Sequence, residues 1–367
     1  MKMISYIAFF ILFHITIDIY KNMSIIWLNN FVKTQSIQRD QSLQIKGKET
    51  MNETLNRIQK IGILPVAALD DAKHAIPLAE ALSNGGIPCL EVSFCTDAAE
   101  ESIRQITKQF PQMLIGAGTI TTAEQASLAI HAGAKFIISP EFSPAVIDYC
   151  IEKAIPVIPR VSSPDDVKKA MSFGLDTVNF LPDGKDDGLN QLNTLNSAND
   201  PITFLPSGGI HKDDIPSYLA FESVLACNWL VNQELIQAGE FEKISALAAG
   251  TMQTMLGFEL AHVGINLDSE AEADKTAGIF ESMFHFPKRP GAGSVFAGTA
   301  IECMVPPFFG TKGHIGIATN SIGRARNYFE RAGYHFNESS AKFINNQMIV
   351  IYFEEEVGGF AVHILQR

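Results

Sequence analysis

From residue 52 to about residue 240, short apolar runs rich in β-branched residues alternate eight times with stretches of helical spacing. The runs are 62–69, 89–94, 114–120, 136–140, 155–161, 177–182, 204–210 and 223–230. Between them lie patterns such as DAKHAIPLAEALSNGG (71–86) and TAEQASLAIHAG (122–133), each ending in glycine as helix C-termini prefer. Strands that are apolar almost throughout suit a parallel sheet covered by helices. Eight such units in this length predict a small (β/α)8 barrel. An open, doubly wound sheet is the alternative, and the even spacing of the units favours closure.

Barrels of this type carry their chemistry at the C-terminal ends of the strands. Those ends read Glu91, Thr119, Pro140, Arg160, Asn179, Ser207 and Asn228. Any one of these is an ordinary turn residue. As a set they form a polar ring on an apolar scaffold, and buried polar groups need partners or a ligand.

The motifs LEVSFCT (90–96), GAGT (116–119), ISP (138–140), IPRVSSP (158–164), VNFLP (178–182) and SGGI (207–210) resemble, in order and spacing, the keto-deoxy-phosphogluconate / keto-hydroxyglutarate aldolases. The resemblance implies a class I aldolase that splits a 2-keto-4-hydroxy acid into pyruvate and an aldehyde. Such chemistry needs a lysine amine to form an iminium electron sink and a partly desolvated carboxylate to move protons. It also needs an arginine fork for the keto-acid carboxylate. By resemblance, Glu91 matches the general acid/base, and Thr119 and Pro140 match substrate-binding positions. Ser207, Gly208 and Gly209 match a loop that helps hold a substrate phosphate.

Three departures have one direction. The family's Schiff-base lysine position reads Asn179, within Asn179-Phe180-Leu181-Pro182. An amide cannot form an iminium, and loss of a covalent nucleophile costs many orders of magnitude in rate. The carboxylate-binding arginine position reads Cys95, and the glycine-rich loop after the last strand reads Ala226-Cys227-Asn228. Lys185 and Lys135 are the neighbouring lysines; Lys135 starts at the wrong end of the barrel. Arg160 stands where the family usually has glycine. Its guanidinium either replaces the one lost at Cys95 or bridges a surface acid. Without the glycine-rich loop, non-phosphorylated substrates are favoured.

After residue 240 the pattern changes. AHVGIN (261–266) and GHIGIA (313–318) form a weak internal repeat, each followed by a helical segment (269–284, 321–332) and β-type runs (294–305, 348–365). This doubled βαβββ pattern resembles the glyoxalase / vicinal-oxygen-chelate fold. That resemblance implies metal ligands at His262, Glu302, His314 and His363, which all accept divalent transition metals. A lone strand histidine is more often a core residue, whereas four ligand types at matching positions suggest a site.

Residues 3–17 are apolar and 33–50 are polar and aperiodic. They read either as a membrane anchor with a linker or as a segment upstream of a working start at Met51. The domain expectation is therefore 1–50 as leader and linker, 51–240 as barrel and 241–367 as the second domain. A net charge of -12 argues against a nucleic-acid partner. Five scattered cysteines fit reduced thiols in the cytoplasm. Three functions remain open: an aldolase with another nucleophile, a keto-acid-binding barrel without Schiff-base chemistry, and a metal-dependent lyase or isomerase carried by the second domain. The barrel itself needs no cofactor, a small keto acid is the expected ligand, and the family resemblance implies a trimer. Membrane association is expected only if residues 1–50 are retained.

Overall fold

The computed structural model describes residues 53–182, 188–196, 202–219, 221, 223–291, 293–305 and 309–367. The apolar run 3–17 and Lys185 lie outside them. Among the described residues no helix is long and apolar enough to cross a membrane.

A helix over 53–61 (α1) leads into the first sheet with Ile58 and Ile61 buried. The strands are β1 (Ile63–Ala67), β2 (Cys89–Ser93), β3 (Leu114–Gly118), β4 (Phe136–Ser139), β5 (Val157–Val161), β6 (Thr177–Phe180), β7 (Thr203–Pro206) and β8 (Leu225–Cys227). Each falls within or at the edge of an expected run. The helices between them are α2 (Ala75–Asn84), α3 (Ala99–Gln109), α4 (Ala123–Ala132), α5 (Pro144–Glu152), α6 (Pro164–Ser172), α7 (Gly188–Asn196) and α8 (Ile215–Leu219). After β8 come α9 (Gln233–Gln237) and α10 (Phe241–Leu256).

Local sequence sets these boundaries. Thr122 accepts the Gln125 backbone N–H, the Gln125 side chain returns the bond, and Gly133 ends α4 in the left-handed region. All eight strands run parallel in the order 7-6-5-4-3-2-1-8. The ends meet where the Val224 N–H donates to the Phe204 carbonyl at 3.3 Å and Ser207 bridges Ala226 in parallel. The sheet is thus a near-closed barrel, and strand residues such as Leu64, Leu90, Ile115 and Phe136 are fully buried in its core.

A second eight-stranded sheet follows. It comprises β9 (Glu259–Asn266), β10 (Lys288–Gly291), β11 (Ser294–Ala297), β12 (Ile301–Met304), β13 (Gly313–Thr319), β14 (Phe336–Ile344), β15 (Gln347–Val357) and β16 (Phe360–Gln366). Helices α11 (Glu270–Phe284) and α12 (Ile322–Arg331) follow β9 and β13. The strand order is 10-11-12-9-13-16-15-14, so two βαβββ units meet at the antiparallel β9–β13 pair. Two of these strands, β10 and β14, escape the sequence reading. Ser269 and Ser321 cap the two helices.

Both sheets belong to one compact unit, Thr54–Arg367. The buried Arg324 of α12 joins them. Its guanidinium donates to the Gln59 carbonyl on α1 (3.2 Å) and to the Ser223 carbonyl before β8 (2.7 Å). The contact lies at the N-terminal end of the barrel, away from the strand ends that carry the polar ring.

Candidate functional site

The polar ring converges. A cavity of about 200 Å³ at the C-terminal ends of the strands is lined by Glu91, Thr119, Ser139, Pro140, Arg160, Asn179, Ser207, Gly208 and Asn228, with Val66, Ile138, Leu181 and Ala226 as apolar wall. Gly209, expected beside them, is exposed and is not part of the lining. Cys95 is likewise exposed and outside it. The volume is below the roughly 300–1,000 Å³ of pockets for drug-sized ligands, which points to a small molecule.

Glu91 sits on β2, in register with Val66 on β1 and Gly116 on β3. Its carboxyl lies over Gly118, where an added Cβ would stand 1.6 Å from Oε1. Only glycine lets the side chain cross there. Burial pushes this carboxyl up to about 8, because ionisation would leave a charge with little water around it. Thr119, one residue on, holds a positive φ of 59°, uncommon for a β-branched residue. Its hydroxyl shares a 2.7 Å hydrogen bond with Ser93. Strained backbone at the rim of a cavity is a common mark of function.

Asn179 is buried on β6, paired with Arg160 on β5 and Leu205 on β7. The Ser207 hydroxyl donates to its Oδ1 at 3.0 Å. That bond fixes the amide, so Nδ2 is left as a donor. Arg160 is half-buried, lines the cavity and makes no ion pair with a described residue. No surface acid therefore claims it among those residues. Lys135 stands just before β4, with its N–H bonded to Ile115, at the far end of the strand from the cavity. Ser139, at the end of β4, was passed over by the sequence reading. It is fully buried, it lines the cavity, and its hydroxyl has no hydrogen-bond partner.

A second cluster lies on the middle strands of the second sheet. His262 (β9), Glu302 (β12), His314 (β13) and His363 (β16) come together there. The His262 and His314 Nε2 atoms are 3.1 Å apart, and those of His363 and His262 are 3.2 Å apart. Glu302 Oε2 lies 3.2 Å from His314 Nε2 and 3.7 Å from His262 Nε2. Register explains the convergence. Gly264 pairs with both Glu302 and His314, and Gly316 pairs with both His262 and His363. A Cβ on Gly264 would stand 2.0 Å from the His314 ring, and one on Gly316 would stand 2.5 Å from His262. The glycines leave the room in which the side chains meet.

Ser294 donates to Glu302 Oε1 at 2.8 Å, which turns Oε2 toward the imidazoles. Tyr352 stacks on His363 at 4.5 Å. Burial first, and then the neighbouring imidazoles, pull His363 down to about 3, so it stays neutral. Burial also lowers His262. Burial alone would raise Glu302, but hydrogen bonds from His314 and Ser294 outweigh it and hold the group below its usual value. The Nδ1 atoms of His314 and His363 are buried without a partner.

The barrel and its cavity define an enzyme-type α/β scaffold with its site at the strand C-termini. The sequence model of KDPG and KHG aldolase matches residues 54–247, so the chain belongs to that aldolase family. It is 38% identical over 206 residues to a 2-dehydro-3-deoxy-phosphogluconate aldolase of Treponema pallidum, covering 56% of this chain and 97% of that one. Similarity to the KHG/KDPG aldolase of Escherichia coli K12 is 34% over 188 residues, covering 51% and 88%. Among solved structures, a KDPG aldolase of Legionella pneumophila, with pyruvate captured as a covalent carbinolamine, is 30% identical. It superposes with a TM-score of 0.51 over 53% of this chain and 95% of its own. A Zymomonas mobilis aldolase with 3-phosphoglycerate gives 0.50 at 30% identity, over 55% and 95%. The second sheet lies beyond the matched residues.

Proposed function

We propose that the barrel binds a small 2-keto acid of the kind its family cleaves, and does so without forming an iminium. The observation that carries this reading is Asn179, a buried amide pinned by Ser207 inside the cavity and standing for the family's lysine. An amide nitrogen shares its lone pair with its carbonyl and does not attack a ketone. The rest of the cavity still suits a keto acid. Arg160 offers a guanidinium fork for the carboxylate, and Glu91, Asn179 and Ser207 supply polar contacts along the carbon chain. Borohydride reduction in the presence of pyruvate, followed by mass measurement, tests the covalent half of the proposal. The expected result is an unchanged mass, and a trapped pyruvate adduct on any lysine would overturn it. Calorimetry with pyruvate tests the binding half: heat of binding in the wild type, weakened at least about tenfold in Arg160→Ala. Equal affinity in both would remove Arg160 from the site.

A second reading concerns the other sheet. We propose that it is a glyoxalase-like domain whose His262, Glu302, His314 and His363 hold a divalent transition metal. Its support is the convergence of the four ligand atoms. Ligands about 2.1 Å from a metal stand roughly 3.0–3.4 Å apart, close to the separations between the imidazoles. Three imidazole nitrogens and a carboxylate oxygen also converge on one point, a set of lone pairs that a cation would satisfy together. Such a metal would polarise a substrate carbonyl or a water as a Lewis acid. Metal analysis of the purified full chain tests it. About one ion is expected per chain, none in His314→Ala, and metal-free wild type after reloading would end the idea.

A further inference from the structure

A second cavity, of about 740 Å³, is lined by none of the barrel-mouth residues and by none of the four metal-ligand candidates. Its walls come from both halves of the molecule. Helices α1 and α8 supply the barrel side, and the start of α12, the start of β15 and the end of β16 supply the other. Its volume lies within the roughly 300–1,000 Å³ of small-molecule sites. The chain holds 40 acidic residues against 28 basic ones. Yet this lining includes Lys60, Arg324 and Arg367 and no carboxylate side chain, so the cavity suits an anion. Two of these cations are already committed. Arg324 bonds the Gln59 and Ser223 carbonyls, and Arg367 bonds Asn320 and the exposed Glu259. Lys60 has no ion pair or side-chain hydrogen bond among the described residues.

The uncharged lining narrows the ligand further. Asn320 and Gln366 spend their amides on the backbone and on Arg367. The carboxamides of Asn56, Gln59 and Gln347 have no partner among the described residues. Each offers donors and an acceptor together, the pairing that the edges of nucleobases present. Leu219, Met348 and Ile349 add an apolar wall for a flat ring. At Gly323, in the first turn of α12, an added Cβ would meet nothing within 4 Å, so the space above it is open. One uncommitted cation fits one phosphate.

We propose that this cavity binds a nucleoside monophosphate, with Lys60 holding the phosphate, the carboxamides of Asn56, Gln59 and Gln347 meeting the base and sugar, and Leu219, Met348 and Ile349 packing on the ring. The inference goes beyond the keto-acid and metal readings and rests on neither. Such a ligand touches α1 and α8 on one side and α12 and β15 on the other, so it braces the joint between the two sheets.

Calorimetry of the full chain tests it, with EDTA present and with AMP, GMP, CMP and UMP tried in turn. At least one is expected to bind with a dissociation constant below about 1 mM, and its nucleoside about tenfold more weakly. Lys60→Ala should weaken the nucleotide about tenfold, and Gln347→Ala about fivefold. Both side chains are exposed, so circular dichroism should show the fold unchanged. Gly323→Asp suits the first turn of a helix but puts a negative charge into the cavity, and should abolish binding. Excess pyruvate should not compete. No heat with any of the four nucleotides overturns the proposal. So does inorganic phosphate binding as tightly as the nucleotide, or affinity kept in Lys60→Ala or Gly323→Asp. Competition by pyruvate would place the nucleotide at the barrel mouth and overturn it as well.

Discussion

A carboxyl group buried as deeply as Glu91 ties the stability of the barrel to pH. Its folded value is about 8 against an ordinary 4.5, so between those limits the folded chain holds a proton that the unfolded chain has released. A raised value means the contribution is complete below about 4.5 and is lost as the pH rises through 8. The expected loss is a few kcal/mol at most. Glu91→Gln keeps the shape and removes the titration. Urea unfolding of both chains at pH 6 and pH 9 should therefore show the glutamine variant gaining on the wild type at the higher pH. A constant difference would mean that Glu91 ionises freely in the folded state. Asn179 gives a second prediction at this scale. Asn179→Lys places an amine beside Arg160 in a desolvated wall. Burial and the neighbouring cation both lower its pKa and leave it nucleophilic near neutrality. Borohydride with pyruvate should then trap an adduct on the variant chain that the wild type does not form. The same position shows what one residue can tell from sequence. That Asn179 carries an amide and not an amine is plain before any fold is known, whereas the bond from Ser207 that orients the amide needs β6 and β7 side by side.

The strands of the second sheet show a different limit of legibility. Its inner strands announce themselves as apolar runs, as do the eight of the barrel. The two that escape, β10 (KRPG) and β14 (FNESSAKFI), are the two edge strands of the sheet. An edge strand has an unpaired side, tolerates proline and charge, and buries little, so it carries no apolar signature. For the same reason the polar ring of the barrel could be read off the strand ends, while Ser139 could not. A serine closing an apolar run looks like any turn residue until its missing partner is seen. The histidine cluster was legible because the internal repeat aligns its members, but the glycines that let it close are apparent only from register. Gly316 sits between His262 and His363 on neighbouring strands. Gly316→Ala would drive a methyl group to within 2.5 Å of the His262 ring and 2.8 Å of His363 Nε2. The rings must then move apart. Titration of the apo-protein with zinc should show at least about a tenfold loss of affinity, with the fold retained by circular dichroism. Unchanged affinity would place any bound metal elsewhere.

At the scale of the whole molecule, one apolar core runs from the barrel into the second sheet, taking in Ile322, Ala325, Phe336, Ile351 and Ile364, and the buried Arg324 adds polar contacts at the joint. It satisfies the Gln59 and Ser223 carbonyls beneath the barrel, next to the strand ends where Leu225 bonds Gly62 and Val224 bonds Phe204. Its helix is held in turn by the histidine-bearing strands. Ser321 at the end of β13 caps α12, and Gln366 at the end of β16 accepts the Ile322 N–H. Apolar contact reinforces the joint, since α10 packs on α2 and its Leu256 carbonyl receives the Thr319 hydroxyl at the end of β13. Arg324→Ala leaves two carbonyls without a charged donor and should cost about 3 kcal/mol in urea unfolding. The joint also predicts how a metal in one sheet is felt by the other. A ligand that binds only the folded chain adds about 2.7 kcal/mol at a hundred times its dissociation constant. If both sheets unfold together, that gain appears in every probe, including Trp229, which follows β8 in the barrel. In a Trp27→Phe background, where Trp229 is the remaining tryptophan, zinc should raise the thermal midpoint of barrel fluorescence by several degrees. His314→Ala should abolish the shift. Arg324→Ala should shrink it, because a weakened joint lets the barrel melt before the sheet that holds the metal. A barrel midpoint indifferent to zinc, in a chain whose second sheet is stabilised by it, would show that the two halves melt independently.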